Sequence, residues 1–146
     1  MTIEQLIPEI VKTLKALPDP PWYVSGDNAG DTEHRESGLA LVDTGRTQDW
    51  PIARLCEWPT AEFIASSPLW LAQMVVGMVH LQTQIEAEAH EKLQPDCKYS
   101  GPCAQGGHPH GYFRGKAVSM LGLTAEDYEW LKGKVNHNAN SASNWQ

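Results

Sequence analysis

The sequence predicts an α+β fold, in which a small antiparallel β-meander packs on a long α-helix and a short C-terminal helical region follows. Three observations support this fold class. Short runs of strand-forming residues alternate with turn-forming loops between residues 22 and 58. Apolar residues then recur every three or four positions from Pro68 to about Leu93. A loop rich in Gly, Pro, Cys and His separates that helix from two shorter helical segments.

The N-terminal segment predicts an amphipathic helix from Thr2 to Leu17. Thr2 and Gln5 have the spacing of a capping box, which satisfies free backbone N–H groups at a helix start. Pro8 lies inside the segment and predicts a distorted first turn or a later start. The apolar side chains repeat with helical spacing at Ile3, Leu6, Ile7, Ile10, Val11 and Leu14.

Three strands are predicted at Trp22–Ser25, Gly38–Asp43 and Trp50–Trp58. The loops between them are short, so an antiparallel meander is the expected pairing. Such a small sheet needs a helix packed over one face to be stable.

Pro68 to about Leu93 is predicted as the long helix, with Ser67 as its N-cap and Pro68 at its first position. A helix of roughly 26 residues spans nearly 40 Å at about 1.5 Å per residue, which exceeds what a chain of this size can cover alone. We therefore expect a homo-oligomer that uses this helix. Its apolar stripe comprises Leu71, Met74, Met78, Leu81 and Ile85.

The region after residue 93 is predicted to hold a loop, a short helix that ends at Gly122 and a final helix capped by Thr124. The polar sequence NHNANSASNWQ is expected to form a flexible tail. The expected organisation is residues 1–93 as the helix, meander and long helix, and residues 94–146 as the C-terminal part of one compact unit.

Charge and composition exclude several classes of protein. The 146-residue chain has a net charge of −7, and residues 1–93 hold 6 Lys/Arg against 14 Asp/Glu. An acidic body is a poor general nucleic-acid binder. The segment MLGLTAEDYEWLKGKV has a helix–turn–helix pattern, but Glu126 and Asp127 would repel phosphate, so DNA reading is not expected.

A cytoplasmic protein is the expectation, which means the host cytoplasm if a phage encodes the chain. The N-terminus lacks the charged and apolar regions of a secretory signal. The sequence alone gives no apolar run that reaches the roughly 18–20 residues of a membrane span, so no membrane partner is expected. Three cysteines argue against a disulfide framework.

A candidate structural zinc site lies in the loop before the short helix. Cys97, Cys103, His108 and His110 supply two thiols and two imidazoles, a donor set that tetrahedral zinc binds. Their spacing matches no common zinc-finger pattern. The alternative interpretation is a loop with incidental cysteines and histidines. No other cofactor is expected.

The same loop runs into a candidate site for a nucleotide-like ligand at a helix start. Helix N-terminal N–H groups attract anions, arginine binds phosphate with a planar fork, and aromatic rings stack on bases. In the alternative interpretation, the aromatic rings are core residues and the cations are solvated. The proposed contacts are Tyr112, Phe113, Arg114 and Lys116, completed by His108, His110 or a second subunit.

Residues 61 to 75, AEFIASSPLWLAQMV, resemble a sequence block of small tailed-phage accessory proteins, the Ead/Ea22-like family. The resemblance covers roughly residues 5 to 85, and the region from Cys97 to the end departs from the family pattern. The order of sheet and helices is also similar to that of anti-Thoeris proteins, which are oligomers that sequester cyclic nucleotide signals between subunits.

The resemblance implies a phage-encoded counter-defence protein that sequesters a small nucleotide-type immune signal during host–virus interaction. We expect binding without catalysis, because no nucleophile and base stand in a recognisable arrangement. The alternative is an acidic inhibitor that covers a basic surface of a host defence or nucleic-acid enzyme. Its contacts would come from Asp27, Asp31, Glu33 and Glu36.

Overall fold

A computed structural model describes residues 1–26, 39–46, 50–93 and 111–143, and its elements confirm the predicted α+β class. The helices and strands follow the predicted order. They are α1 (Ile3–Ala16), β1 (Tyr23–Gly26), β2 (Leu39–Asp43), β3 (Ala53–Glu57), α2 (Trp58–Leu93), α3 (Tyr112–Met120) and α4 (Ala125–Ser143).

The chain forms two compact units, each built from two stretches of sequence. The first unit comprises Met1–Thr13 and Ala72–Gly133, and the second comprises Leu14–Leu71 and Lys134–Gln146. Helix α2 contributes residues to both units.

The second unit contains the predicted meander, a three-stranded sheet in the order β1-β2-β3. Both strand pairs are antiparallel, with Val24 opposite Val42 and Ala40 opposite Cys56. Val42 is paired with Ala53, so two steps along β2 match three along β3. Such an irregularity bends a strand locally, and β3 continues directly into α2.

The burial of side chains alternates along β2, and this alternation shows which face of the sheet is covered. Ala40 and Val42 are fully buried, whereas Leu39, Leu41 and Asp43 on the other face are partly exposed. Trp22 joins the same core, and its indole Nε1 donates a hydrogen bond to the Pro18 carbonyl at 3.2 Å. The start of α2 adds Ala61, Ile64 and Ala65 to this core.

An ion pair also belongs to the second unit. The Lys134 Nζ atom lies 2.8 Å from the Asp19 Oδ1 atom, which joins α4 to the segment that precedes β1. The hydrogen bond and charge of Lys134 lower the pKa of the Asp19 carboxyl. Because both side chains have exposed surface, this pair contributes modestly to stability.

Helix α2 begins at Trp58, ten residues earlier than the predicted start at Pro68. A proline inside a helix lacks the N–H that would bond the carbonyl four residues back, here that of Ile64. The Ser67 hydroxyl donates to this same Ile64 oxygen at 2.9 Å. Ser67 is therefore not an N-cap. It replaces the bond that Pro68 removes, and the helix continues.

The predicted caps at the starts of α1 and α4 match the structure. The Thr2 N–H donates to the Gln5 Oε1 atom at 3.0 Å, which is one half of the predicted capping box. At α4 both halves form: the Asp127 N–H donates to the Thr124 hydroxyl, and the Thr124 N–H donates to Asp127. Helix α4 then continues to Ser143, through most of the segment expected to be a flexible tail.

Gly122 terminates α3 in a left-handed conformation with φ of 77°. Its N–H donates to the Ser119 carbonyl and the Leu123 N–H donates to the Val118 carbonyl, which is the Schellman pattern. A Cβ at Gly122 would lie 2.5 Å from the Glu4 carbonyl oxygen. This turn therefore packs its backbone directly against α1 within the first unit.

We predict that Gly122→Ala destabilises the protein by at least about 1–2 kcal/mol, the cost of left-handed backbone for a residue with a Cβ. The overlap with the Glu4 oxygen adds to that cost. Gly133→Ala is the matched control, since Gly133 lies in α4 and no atom of the described residues lies within 4 Å of its added Cβ. The control should stabilise by about 0.5–1 kcal/mol. Guanidinium unfolding midpoints measure both changes, and equal midpoints for the two variants would contradict the prediction.

Candidate functional site

The predicted ligand-binding residues that the structure describes, Tyr112, Phe113, Arg114 and Lys116, lie in the first half of α3, in the first unit. Gly111 precedes the helix as its N-cap, with φ of 82°, and offers no side chain to bond the free N–H groups. The first turn of α3 contains no acidic residue. This helix terminus therefore keeps its positive electrostatic character.

The Arg114 side chain folds back over Gly111. A Cβ on Gly111 would lie 3.1 Å from the Arg114 Nη2 atom, so the guanidinium occupies the space that another residue's side chain would need. Arg114 also lies over the ring of Tyr128, with its Cζ atom 5.8 Å from the ring centre. This geometry places a guanidinium beside the positive end of a helix.

Tyr128 is a buried residue of α4 to which the sequence analysis assigned no role. Its ring lies within reach of two cations, Arg114 and Lys132, whose Nζ atom is 5.4 Å from the ring centre. Burial raises the pKa of the Tyr128 hydroxyl, while the nearby Arg114 opposes this shift. The helical spacing of Tyr128 and Leu131 could have indicated burial, but not the contact with Arg114.

Phe113 is part of the core rather than an open stacking surface. It is buried, and its ring centre lies 5.5 Å from that of His90 and 5.1 Å from that of Tyr112. Tyr112 is the exposed aromatic residue of the pair, with 47% of its surface accessible. Of the two predicted stacking residues, Tyr112 is the more exposed.

Lys116 forms an ion pair with a residue of α2. Its Nζ atom lies 3.0 Å from the Glu86 Oε2 atom, and the Gln82 amide donates to the Glu86 Oε1 atom at 3.0 Å. The Gln82 amide also lies 3.9 Å from the Met120 sulfur. Glu86 thus joins α3 to α2, a contact that its spacing from His90 on one helix did not indicate.

The ion pair shifts the pKa of both partners. The hydrogen bond from Lys116 lowers the pKa of the Glu86 carboxyl, and the Gln82 amide adds to this effect against the opposing effect of burial. The Glu86 hydrogen bond raises the pKa of Lys116. Both shifts favour the charged pair at neutral pH.

The candidate zinc ligands Cys97, Cys103, His108 and His110 lie outside the described residues. The same holds for the acidic loop residues Asp27, Asp31, Glu33 and Glu36. Across residues 1–26, 39–46, 50–93 and 111–143, no three His, Cys, Asp or Glu side chains come together as a metal site. The zinc site therefore stays a prediction.

Helix α2 is long and apolar enough, by length and composition, to cross a membrane. An 18-residue window of it has a mean hydropathy of 1.4, and 22% of that window is buried. The sequence analysis missed this feature, because polar residues and Gly77 interrupt the apolar runs of this segment. Core helices of soluble proteins meet the same criteria, so the expectation of no membrane partner stays a prediction.

Comparison of the chain with protein-family models, with curated proteins and with solved structures found no match. The resemblance to phage accessory proteins therefore stays a prediction.

The Glu86–Lys116 pair generates a pH prediction. Because folding lowers the pKa of the Glu86 carboxyl, the stability that this group contributes is fully present at pH values above its ordinary pKa of 4.5. That stability is lost as the pH falls through the pKa of the folded state. Because folding raises the pKa of Lys116, the stability that this group contributes is fully present at pH values below its ordinary pKa of 10.5. That stability is lost as the pH rises through the pKa of the folded state.

A double-mutant cycle with Glu86→Gln and Lys116→Gln should therefore give a stabilising coupling energy at pH 7. That energy should vanish in strong acid, when it is measured by urea unfolding. The matched control is the cycle for Glu129 and Lys132, an i,i+3 surface pair at 3.8 Å, which should show weaker coupling. A coupling energy for Glu86 and Lys116 that does not change with pH would contradict the assignment.

The zinc prediction is tested by elemental analysis of freshly purified protein. If the four predicted residues bind zinc, we expect about one zinc per chain, the stoichiometry of a tetrahedral structural site, and its loss on Cys97→Ser. Cys56→Ser is the matched control, because Cys56 lies in β3 and is not a predicted ligand. Metal-free wild-type protein would end the proposal.

Proposed function

We propose that the protein is a non-catalytic binding protein that holds a small phosphate-bearing, nucleotide-type ligand at the N-terminus of α3. The single observation that carries this proposal is the placement of Arg114. Its guanidinium lies at the positive end of the helix, beside Gly111, an N-cap residue with no side chain to bond the free N–H groups. The positive helix terminus and the guanidinium beside it repel each other, and a bound anion between them would relieve that repulsion.

Two of the predicted ligand-binding residues already interact with other parts of the protein, which leaves fewer residues to contact a ligand. Phe113 is buried against His90, and Lys116 is paired with Glu86, so both already have roles within the protein. Arg114 would bind phosphate with its planar fork, and the exposed ring of Tyr112 would stack on a base. His108 and His110 stay predicted contacts outside the described residues.

A sequestering role suits a site of this kind. Sequestration needs affinity and no chemical step, so a guanidinium, a helix terminus and an aromatic face are sufficient. The resemblance to Ead/Ea22-like and anti-Thoeris proteins supports a phage-encoded counter-defence role. It also suggests the ligand class, which is cyclic ADP-ribose isomers or cyclic oligonucleotides.

The test compares two substitutions around the same ring. Arg114→Gln and Lys132→Gln each remove a cation from Tyr128, but only Arg114 lies at the α3 N-terminus. Arg114→Gln should weaken binding by at least about tenfold, because a hydrogen bond to a charged group contributes roughly 1.5–3 kcal/mol. Lys132→Gln should leave binding unchanged.

Calorimetric titration with cyclic nucleotides and ADP-ribose isomers measures both effects. An equal loss of binding affinity in the two variants would mean that the contact with the Tyr128 ring, rather than an anion site, determines binding. Wild-type protein that binds no member of the panel would refute the proposal.

The second candidate is an acidic inhibitor of a host defence or nucleic-acid enzyme. It is favoured by the fact that Phe113 and Lys116, two of the six predicted ligand contacts, already interact with other residues of the protein. The net charge of −7 suits a basic target surface. Native mass spectrometry of protein purified from infected, defence-active cells separates the candidates. A co-purified nucleotide supports the first, and a host protein whose binding survives Arg114→Gln supports the second.

A further inference from the structure

Three side-chain contacts within the first unit show that α2 and α3 run antiparallel. The α2 partners lie four residues apart and therefore on one side of that helix, and their α3 partners follow in the reverse order along the chain. The last turn of α2 therefore lies beside the first turn of α3. The contacts join Gln82 to Met120, Glu86 to Lys116 and His90 to Phe113.

This arrangement brings the ring of His90 close to the N-terminus of α3. Its centre lies 5.5 Å from that of the Phe113 ring, and Phe113 is the second residue of α3. Side chains of helical residues lean towards the helix N-terminus, so the Phe113 ring lies near the start of α3. An anion bound by the free N–H groups of that helix would therefore be about 10 Å from the His90 ring.

The ion pair beside this contact keeps its charges near neutral pH. Glu86 lies one turn before His90 on α2, and its carboxylate is 3.0 Å from the Lys116 ammonium group. The lowered pKa of Glu86 and the raised pKa of Lys116 keep both groups charged near neutral pH, and their opposite charges largely cancel. Glu91 and Lys92, the sequence neighbours of His90, are exposed and lie on other sides of α2.

His90 is a group at this contact whose residue type changes charge near neutral pH. Histidine side chains titrate between about pH 5 and 8. Tyr112 and Arg114 flank Phe113 in α3, and tyrosine and arginine side chains titrate only above about pH 9. His90 also lies in the last turn of α2, where the negative end of a helix stabilises a protonated imidazole.

We propose that His90 is a proton-linked residue of the ligand site. An anion bound at the start of α3 favours the protonated form of the His90 ring, and the protonated ring in turn strengthens anion binding. The affinity for the ligand therefore rises as the pH falls from about 8 to about 5.5. This inference rests on the proposed function, and it adds regulation of the same site by pH.

The size of the effect follows from the separation of the two charges. Two unit charges about 10 Å apart near a protein surface, partly screened by salt, change each other's binding by roughly threefold to tenfold. The coupling is reciprocal, so the anion increases the proton affinity of His90 by the same factor.

The first test measures ligand affinity by calorimetry at about pH 5.5 and about pH 8, on either side of the middle of the range in which histidine titrates. Cyclic ADP-ribose and a cyclic dinucleotide are the probes. Their phosphodiester and pyrophosphate groups keep a constant charge over this range, unlike phosphate monoesters, whose second pKa is about 6. Wild-type protein should bind roughly three to ten times more tightly at the lower pH.

His90→Gln should remove most of this pH dependence, because a glutamine side chain does not take up a proton. His80→Gln is the matched control and should keep the pH dependence of the wild type. His80 is exposed and lies ten residues earlier on α2, which is about 15 Å along the helix axis.

A purely structural role of His90 would give a different result. Loss of its packing against Phe113 would weaken binding by the same factor at both pH values and leave the pH dependence in place. A wild-type pH dependence in His90→Gln would therefore overturn the proposal and assign the proton to another group, such as His108 or His110.

A second measurement uses the wild-type chain and so avoids any folding defect of a variant. NMR titration follows the ring protons of His80 and His90 in sodium sulfate and in sodium chloride of equal ionic strength. Sulfate is the probe because it resembles phosphate and stays a dianion throughout. At saturation, His90 should keep its proton to a pH about 0.5–1 unit higher in sulfate, which is the threefold to tenfold coupling on a logarithmic scale.

His80 serves as the internal control, and its titration should be the same in both salts. Arg114→Gln should abolish the effect of sulfate on His90, because it removes the guanidinium from the anion site. Equal behaviour of the two histidines in the wild type would overturn the proposal.

The proposal and the proposed function can fail separately. Nucleotides that bind with equal affinity at both pH values would support the proposed function and refute the role of His90. A sulfate effect on His90 without binding of any nucleotide would support the proton-linked anion site and refute the nucleotide-binding function.

Discussion

The first unit depends on the close approach of Gly122 to the backbone of α1. Pro8 has no N–H to donate to the Glu4 carbonyl, so this oxygen lacks its usual helical partner. The same oxygen lies 2.5 Å from the position of a Gly122 Cβ, and the hydrogen of glycine fits there instead. Pro8 and Gly122, whose residue types usually break helices, therefore act together at the Glu4 carbonyl oxygen. This contact sets where the α3–α4 turn meets α1.

Helix α2 shows the same compensation at Pro68, and here sequence reasoning failed. A Ser-Pro pair usually starts a helix, so the local pattern predicted a start at Pro68. The pattern cannot show that the Ser67 hydroxyl reaches the Ile64 oxygen and so lets the helix pass through. The caps at Thr2, Thr124 and Gly122 were predictable, because each depends on residues within five positions along the chain.

The candidate site was predictable as a segment but not as an arrangement. The sequence placed Arg114 and Lys116 near a helix start, and the structure agrees. It could not show that Lys116 pairs with Glu86, thirty residues earlier, or that Arg114 lies over Tyr128. Such contacts depend on how separate helices pack, and a single sequence does not encode that packing in any local spacing.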